Sequence, residues 1–283
     1  MLRILLQEIL DAYAALENDE ARKQMTPNLP LNFRDVVVAK HESLGNAKIL
    51  IPVLPLVSRA DCVRYLAAIL NSQTVTLEEV KWTTRHLVRT ANHAELLGEG
   101  QMAEVLAIPE LISEIHHFNT TDGDMVQTAR SIHALNSIFE LLELNELEPE
   151  KYVFAIQSLA EEEEEAPMPT LIFRTLIQLQ KHSEFFNDFI TSEILPRLVK
   201  KPVLFAERRN SRAGLTEGLK FSLKISFEKM PDQRIPAKVL SMLPLHQLED
   251  LMATFPEWKQ HLKEYCQTQP LHLIPHHVRQ LLH

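Results

Sequence analysis

Seven of the helical patterns in this chain begin at a proline. Proline has no backbone N–H, and the first position of a helix is where that N–H would lack a partner in any case, so proline is typical of helix starts. The seven are Pro109, Pro149, Pro169, Pro236, Pro244, Pro256 and Pro275. Glycine, which hairpin turns and phosphate-binding loops need, occurs only six times in 283 residues. The sequence therefore predicts an all-α protein.

Two further helix starts are marked by a hydroxyl residue three positions before an acid. Ser58 with Asp61 and Thr76 with Glu79 fit the capping box, in which the two side chains bind the free N–H groups of the first turn. They predict helices over about 58–71 and 76–90. Apolar positions at steps of three and four, together with the prolines, predict the others, at 109–118, 125–142, 149 into the acidic run 161–165, 169–182, 184–201, 215–230, 236–243, 245–254, 256–268 and 275–283.

Three places interrupt this regular pattern. Pro52 and Pro55 break the apolar run from Ile49 to Val57, which predicts a short, kinked and buried element. Pro196 lies inside a helical pattern and predicts a kink or a break. Residues 36–38 are three valines, but no alternating pattern or hairpin turn lies nearby, so we expect a short buried helix rather than a strand.

About fourteen helices joined by short loops exceed what a four-helix bundle can hold. They fit an irregular HEAT- or armadillo-like stack of antiparallel helix pairs, a superhelical scaffold in which each pair buries its apolar face on the next. Residues 1–45 are expected to hold an N-terminal helix (2–16) and a linker (19–32) without further assignment. Residues 46–283 are expected to form the helical repeat domain, with two lobes joined near 160–168.

Charge and cysteine content exclude several classes of protein. The net charge of −9 argues against nucleic-acid binding over the whole surface. Cys62 and Cys266 are too few for a disulfide framework or a four-thiolate zinc site, and both fall in apolar helical patterns typical of a core. A reducing compartment is expected, with no signal peptide and no membrane span. The chain also begins inside an apparent helix with no capping residue before it, which predicts a fragment of a longer protein.

No motif for catalysis or for a cofactor is present. The sequence lacks the glycine-rich phosphate loops, the GxSxG nucleophile turn and the HExxH zinc motif. The adjacent histidine pairs at 116–117 and 276–277 would point about 100° apart on a helix and would not form a two-ligand face. We therefore expect no enzyme, no small-molecule substrate, no cofactor and no metal.

A basic segment runs from Arg197 to Lys229 and carries a net charge of +6, which leaves −15 for the rest of the chain. One interpretation is a patch for RNA phosphates or for an acidic protein surface. The other is a solvated helix end and a loop, with Lys200 and Lys201 near a helix C-terminus. Few aromatic residues are interleaved, which weakens the case for binding single-stranded RNA.

Trp258, in the segment PEWKQHL, also has two interpretations. It packs against a neighbouring helix, or it is an exposed anchor of an interface. The candidate partner-binding residues are Arg197, Lys200, Lys201, Arg208, Arg209, Arg212, Lys220, Lys224 and Trp258.

The last 115 or so residues of the chain contain four familiar segments. They read MPTLIFRTLIQLQKH (168–182), FFNDFITSEILPRLVKKPV (185–203), RIPAKVLSMLPLHQLEDLMATFPEWKQHLKEYC (234–266) and LIPHHVRQLL (273–282). Their order and wording resemble the C-terminal domain of the symplekin family, and fainter matches continue upstream at 48–70 and 109–139. The chain resembles a divergent member of the family. Leu204 stands where the family has a tryptophan, and only Glu217-Gly218 with Phe221 preserves part of the family's WEGF motif.

The resemblance implies a nuclear, non-enzymatic scaffold of pre-mRNA 3′-end cleavage and polyadenylation. In that family this region binds the C-terminal domains of the cleavage endonuclease and of its inactive homologue. Two alternatives stay open: an RNA-binding helical repeat that uses the basic 197–229 segment, and a helical-repeat adaptor of another pathway.

Overall fold

The computed structural model describes residues 37–41, 45–97, 106–118, 125–162, 167–205 and 212–282. Within these ranges it contains thirteen α-helices, a few 3₁₀ and π turns, and no β-strand. Helices pack against helices throughout, so the predicted all-α helical stack is confirmed. The helix predicted at 2–16 and the linker predicted at 19–32 lie outside the described residues. Residues 37–41 are helical, as expected for the valine-rich segment.

The described residues divide into two compact units, the first ending at Lys151 and the second beginning at Tyr152. The first unit holds a 3₁₀ segment, Ala47–Leu56, followed by four helices: α1 (Arg59–Asn71), α2 (Leu77–Leu97), α3 (Ile108–His117) and α4 (Met125–Glu143). α5 (Pro149–Glu161) begins at the end of this unit.

The second unit holds α6 (Ile172–His182), α7 (Glu184–Phe189), a π turn (Ile190–Ile194), α8 (Leu195–Leu198), α9 (Arg212–Lys229), α10 (Arg234–Ser241), α11 (Leu245–Thr254), α12 (Trp258–Thr268) and α13 (His276–Leu282). Short 3₁₀ turns cover Pro202–Leu204 and Leu271–Leu273. All seven prolines of the starting pattern lie within three residues of a helix start.

Both predicted helix starts are capped, the first through the serine hydroxyl and the second by a full capping box. Ser58 Oγ accepts the N–H of Asp61 at 3.3 Å and donates to the Asp61 carboxylate at 2.9 Å. At the start of α2 the exchange is reciprocal, because Glu79 N–H donates to Thr76 Oγ1 at 3.2 Å and Thr76 N–H donates to Glu79 Oε2 at 2.8 Å. Each cap pairs donors that the first turn of a helix leaves free.

In the first unit, α2 packs along α4, and the 3₁₀ segment packs on α1 and α2. Pro52 and Pro55 prevent a regular helix between residues 47 and 56, and the segment is nevertheless buried, as its apolar run predicts. Leu50 and Val53 are fully buried there. Val53 packs with Val37 and with the partly buried Ile49 in the apolar core of this unit.

A ladder of cations on α2 binds acids of α4 and of the turn after it. Lys81 Nζ lies 2.8 Å from a Glu140 carboxylate oxygen, and Arg85 pairs with the same carboxylate. The Lys81 hydrogen bond holds the pKa of Glu140 below its usual value. One step further, Arg89 lies 3.1 Å from Glu146. Spacing of four residues places these cations on one face of α2, so α2 and α4 are fixed in register.

In the second unit, α6 packs on α9, α10 packs on α12, and α11 packs on α13. A buried hydrogen-bonded network joins α6, α7, the π turn and α9. Gln180 Nε2 lies within hydrogen-bond distance of Asn187 Oδ1 (3.2 Å) and Ser226 Oγ (3.0 Å), and Gln180 Oε1 accepts from Ser222 Oγ at 2.7 Å. Thr191 and Ser226 share a further bond of 2.7 Å. Because every member is buried and paired, the network specifies one arrangement of these helices.

Pro196 interrupts its helix in a particular way. In a regular turn its ring would collide with the carbonyl of Ser192. The chain instead forms the wider π turn at Ile190–Ile194, where the N–H of Leu195 donates to the carbonyl of Ile190 five residues earlier. The predicted interruption is thus confirmed, and its form is a widened turn within one helical course.

Candidate partner-binding surface

Among the basic residues predicted to bind a partner, those that the structure describes do not form one cluster of free charges. Arg197 pairs with the carboxylate of Glu161 at the end of α5, and it lies 3.8 Å from Glu193 one turn earlier on its own helical course. Its guanidinium is therefore already engaged by two acids, one of them at the end of α5.

Two lysines of the segment close the C-terminal ends of earlier helices. Lys201 is 5% exposed, and its Nζ donates to the carbonyl of Leu159 at 3.2 Å, in the last turn of α5. Burial lowers the pKa of Lys201, and the Glu162 carboxylate opposes that change. Lys229 Nζ donates to the carbonyls of Gln180 (2.9 Å) and Lys181 (3.1 Å), in the last turn of α6. Carbonyls at a helix end lack partners within the helix, and a cation there also opposes the helix dipole.

The remaining basic residues differ in their exposure. Lys200 is exposed. Lys220 lies 3.8 Å from Glu217, and Lys224 lies 3.7 Å from Glu228 on the neighbouring turn of α9. Arg208, Arg209 and the side chain of Arg212 lie outside the described residues.

Lys224 and Trp258 are the two predicted residues that the structure brings to one place. They line a groove of about 480 Å³ formed by α9 and by the segment from the end of α11 to the start of α12. The lining side chains are those of Lys224, Phe227, Glu228, Gln233, Phe255, Glu257, Trp258 and His261.

A stack of four rings forms the wall of this groove. The rings of Phe255 and Trp258 lie 4.2 Å apart between centroids at an angle of 15°, and those of Trp258 and Phe227 lie 4.5 Å apart at 24°. The imidazole of His261 continues the stack, with its centroid 5.6 Å from that of Phe227. Trp258 is only 3% exposed, so it packs against α9 as the packing interpretation describes. Its groove-facing neighbours Phe255 and His261 are partly exposed.

The polar groups of the groove are unevenly satisfied. Gln233 Nε2 donates to the carbonyls of Phe227 (3.0 Å) and Met230 (2.6 Å) and so closes the end of α9. Gln233 Oε1 and His261 Nδ1 are buried without a hydrogen-bond partner. Glu257 is exposed at the groove and has no ion pair within the described residues.

A second groove, of about 380 Å³, follows the π turn. Thr191, Ser192 and Pro196 form one side of it, and Arg234 and Lys238 of α10 are on another. Arg234 makes a two-pronged pair with Asp232, with Nε and Nη2 at 2.8 and 2.7 Å from the two carboxylate oxygens. Those hydrogen bonds lower the pKa of Asp232 and raise the pKa of Arg234. The arginine is therefore engaged within the chain.

Sequence reasoning missed the ring stack as a unit. Phe255, Trp258 and His261 recur at steps of three, which places them along one side of a helix start, and this spacing was the available signal. Phe227 is about thirty residues away along the chain, and only tertiary packing brings it to Trp258. The apolar end of the groove therefore could not be read from a local pattern.

Two buried ionisable groups elsewhere in the described residues, Cys62 and His116, line neither groove. Burial raises the pKa of the Cys62 thiol to about 12 and lowers the pKa of His116 to about 4. Both cysteines are buried and free, as their apolar patterns predict. No three His, Cys, Asp or Glu side chains converge on a possible metal position in the part of the chain that the structure describes. Among the same residues, no helix has both the length and the apolar content needed to cross a membrane.

Comparison with known proteins gives one match. A family model described as "Symplekin tight junction protein C terminal" matches residues 46–255, which is most of the chain. No curated protein matches the sequence, and no solved structure matches it.

Proposed function

The chain belongs to the symplekin C-terminal family, and from that premise we propose that it is a non-enzymatic scaffold in pre-mRNA 3′-end cleavage and polyadenylation. The family match over residues 46–255 is the observation that carries the proposal. The helical stack supports it, because stacked helices offer long surfaces for other polypeptides.

The proposed partners are the C-terminal domains of the cleavage endonuclease and of its inactive homologue, and the proposed compartment is the nucleus. Exposed apolar residues of the second unit would supply the contacts that exclude water. Leu271 and Leu273 are 66% and 62% exposed in the turn before α13, and Phe221 is 55% exposed on α9. Neighbouring apolar side chains exposed to water are typical of surfaces that bind other proteins, and Leu271 and Leu273 lie in the same short turn. Lys200 and Lys224, which are exposed, would orient an acidic partner surface.

Protein binding is favoured over RNA binding by the state of the basic segment. Arg197, Lys201 and Lys229 are engaged by Glu161 or by helix-end carbonyls. A site for RNA phosphates needs several cations that can exchange their counterions for phosphate, and these three have partners within the chain. An adaptor of another pathway would use the same apolar surface with a different partner.

Gel filtration of the full chain with the purified C-terminal domains of the two nuclease homologues tests the proposal. We expect the proteins to elute together at about 150 mM and at about 500 mM salt, because the screening of charges by salt has little effect on a mainly apolar interface. Changing Leu271 and Leu273 together to Asp should weaken it, whereas Met125→Asp, at an exposed position of the first unit, should not. A folded chain that elutes alone even at low salt would contradict the proposal.

The RNA alternative is tested separately. RNA binding that falls steeply with salt and disappears when Arg208, Arg209 and Arg212 are changed to Glu would favour it. Binding to an unrelated set of proteins in an affinity purification would favour an adaptor of another pathway.

A further inference from the structure

The groove between α9 and the start of α12 has few free hydrogen-bond donors. Both N–H bonds of the Gln233 amide are used by the carbonyls of Phe227 and Met230. The ammonium of Lys224, at the rim, lies 3.7 Å from the Glu228 carboxylate. His261 Nδ1 has no partner and can donate only in the tautomer that carries its proton. At Gln233 and Lys224 an anionic or acceptor group would have to displace an existing contact.

Acceptors, in contrast, are left over. The Glu257 carboxylate lies at the groove and has no ion pair within the described residues. Below the surface, Gln233 Oε1 is buried with no donor near it. A carbonyl oxygen without a donor leaves its partial negative charge uncompensated, and the low dielectric of its surroundings carries that potential into the groove. The electrostatics of the groove thus favour a cation.

The ring stack adds a second preference for a cation. The face of an aromatic ring carries partial negative charge and attracts a cation within about 6 Å of its centroid. The chain already shows this on the same stack, because Lys220 Nζ lies 6.0 Å from the centroid of Phe255. The rings of Phe255 and Trp258 are close to parallel and stack on each other, so the ring faces left to a ligand are those at the ends of the stack, on the partly exposed Phe255 and His261. A planar guanidinium can stack on such a surface while it pairs with a carboxylate, and a tetrahedral ammonium cannot do both equally well.

We propose that this groove binds an arginine side chain carried by a partner polypeptide, with the guanidinium against the ring stack and Glu257 as its ion-pair partner. The volume of about 480 Å³ suits one long side chain with its neighbouring backbone. The ammonium of Lys224, which also lines the groove, repels the incoming guanidinium and limits the affinity of the groove. The assignment concerns the chemistry of the ligand and does not depend on the partners proposed above.

Short peptides test the groove directly. The probes are acetyl-Gly-Xaa-Gly-amide peptides in which Xaa is arginine, lysine, citrulline or glutamate, titrated into the full 283-residue chain. The reporter is the indole N–H signal of Trp258 in a nitrogen-15 NMR spectrum. The chain has only two tryptophans, so Trp82 is the internal reference and Trp82→Phe assigns the signals. We expect the arginine peptide to shift Trp258 with a Kd in the millimolar range, roughly what one buried side chain supplies.

The other peptides separate charge from shape. Citrulline keeps the shape of arginine without its charge and should bind at least about 10-fold more weakly, and the lysine peptide should be weaker than arginine by about 3-fold or more. The glutamate peptide should leave Trp258 unmoved. Equal binding of the citrulline or glutamate peptide, equal binding of lysine, or no shift with any peptide would overturn the assignment.

Two variants give opposite expectations. Glu257→Gln should raise the Kd of the arginine peptide by about 5-fold or more, because the unpaired carboxylate is lost. Lys224→Gln should lower the Kd of the arginine peptide by about 2-fold or more, because a cation that repels the guanidinium is lost. Glu249→Gln, the same change at an exposed position of α11, is the matched control and should leave the Kd unchanged. A Lys224→Gln variant that binds the arginine peptide more weakly would contradict the proposal.

Discussion

A Cβ atom added at Gly218 would lie 2.5 Å from the Cβ of Phe173. The α6 and α9 helices therefore approach each other at a distance that a hydrogen at this position allows and a methyl group does not. Gly218 belongs to the Glu217-Gly218 pair, a part of the family's WEGF motif that this chain keeps, and it lies on α9 where α9 packs on α6. The close contact with Phe173 explains why this position holds a glycine.

Gly218→Ala should destabilise the second unit, because the new methyl group forces α6 and α9 apart or moves Phe173 from its place. We expect the free energy of unfolding to fall by about 1–3 kcal/mol, as measured by urea denaturation. Gly214→Ala is the matched control on the same helix, since no atom lies within 4 Å of its added Cβ. That change should raise stability by up to about 1 kcal/mol through helix propensity. Equal effects of the two changes would show that the close contact is not limiting.

His116 should make the stability of the chain fall in mild acid. It is fully buried and its Nδ1–H donates to the carbonyl of Ile112 at 2.8 Å, and burial lowers its pKa from 6.5 to about 4. Between those two pH values the unfolded chain binds a proton that the folded chain does not, so stability falls as pH falls from 6.5 toward 4. The full effect is about 3 kcal/mol.

The measurement is the free energy of unfolding in urea at pH 7.5, 5.5 and 4.5. His116→Leu should flatten this part of the pH dependence, and His246→Leu, at an exposed position, should leave it in place. A slope that survives in His116→Leu would assign the effect to other groups.

Both cysteines should resist alkylation in the folded chain. Burial raises the pKa of Cys62 to about 12 and also raises the pKa of Cys266, so neither forms appreciable thiolate at neutral pH. Reaction with a thiol reagent should be at least about 100-fold slower in the folded chain than in urea. Cys62→Ala and Cys266→Ala isolate each thiol in turn, and rapid labelling of either one in buffer would contradict its buried environment.

Replacing Lys201 by alanine should destabilise the chain much more than the same change at its neighbour Lys200. Lys201→Ala removes the donor to the Leu159 carbonyl and leaves the end of α5 unpaired, which should cost about 1–3 kcal/mol. Lys200→Ala, at an exposed position, should change stability by less than about 0.5 kcal/mol. Thermal or urea unfolding of the two variants compares them directly. If the two changes have the same effect, the Lys201 bond is not stabilising α5.

The helices could be predicted from the sequence because their start signals are local. Each signal concerns N–H groups within three or four residues: the hydroxyls of Ser58 and Thr76 accept them, and proline lacks its own. The structure confirms the helix starts at these places. The interruption at Pro196 could be predicted from its missing N–H, but the π turn could not, because its geometry depends on how the rest of the helix is held.

The candidate surface was harder to predict because its contacts join distant residues. Arg197 was predicted to bind a partner molecule, and its ion pair with Glu161 could not be predicted because Glu161 lies on another helix. Lys224 and Trp258 were each identified, but their meeting depends on the packing of α9 against the segment that follows α11. Leu204 stands where the family has a tryptophan, and it is fully buried, so a smaller apolar side chain fills that position.

The lysines that close α5 and α6 are separated from those helices by later stretches of chain. Lys229 reaches the carbonyls of Gln180 and Lys181 from about fifty positions downstream. During synthesis on the ribosome, the end of α6 must therefore wait for α9 to emerge before its last carbonyls gain their partner. A nascent chain that stops short of residue 229 would expose that open helix end to chaperones and proteases.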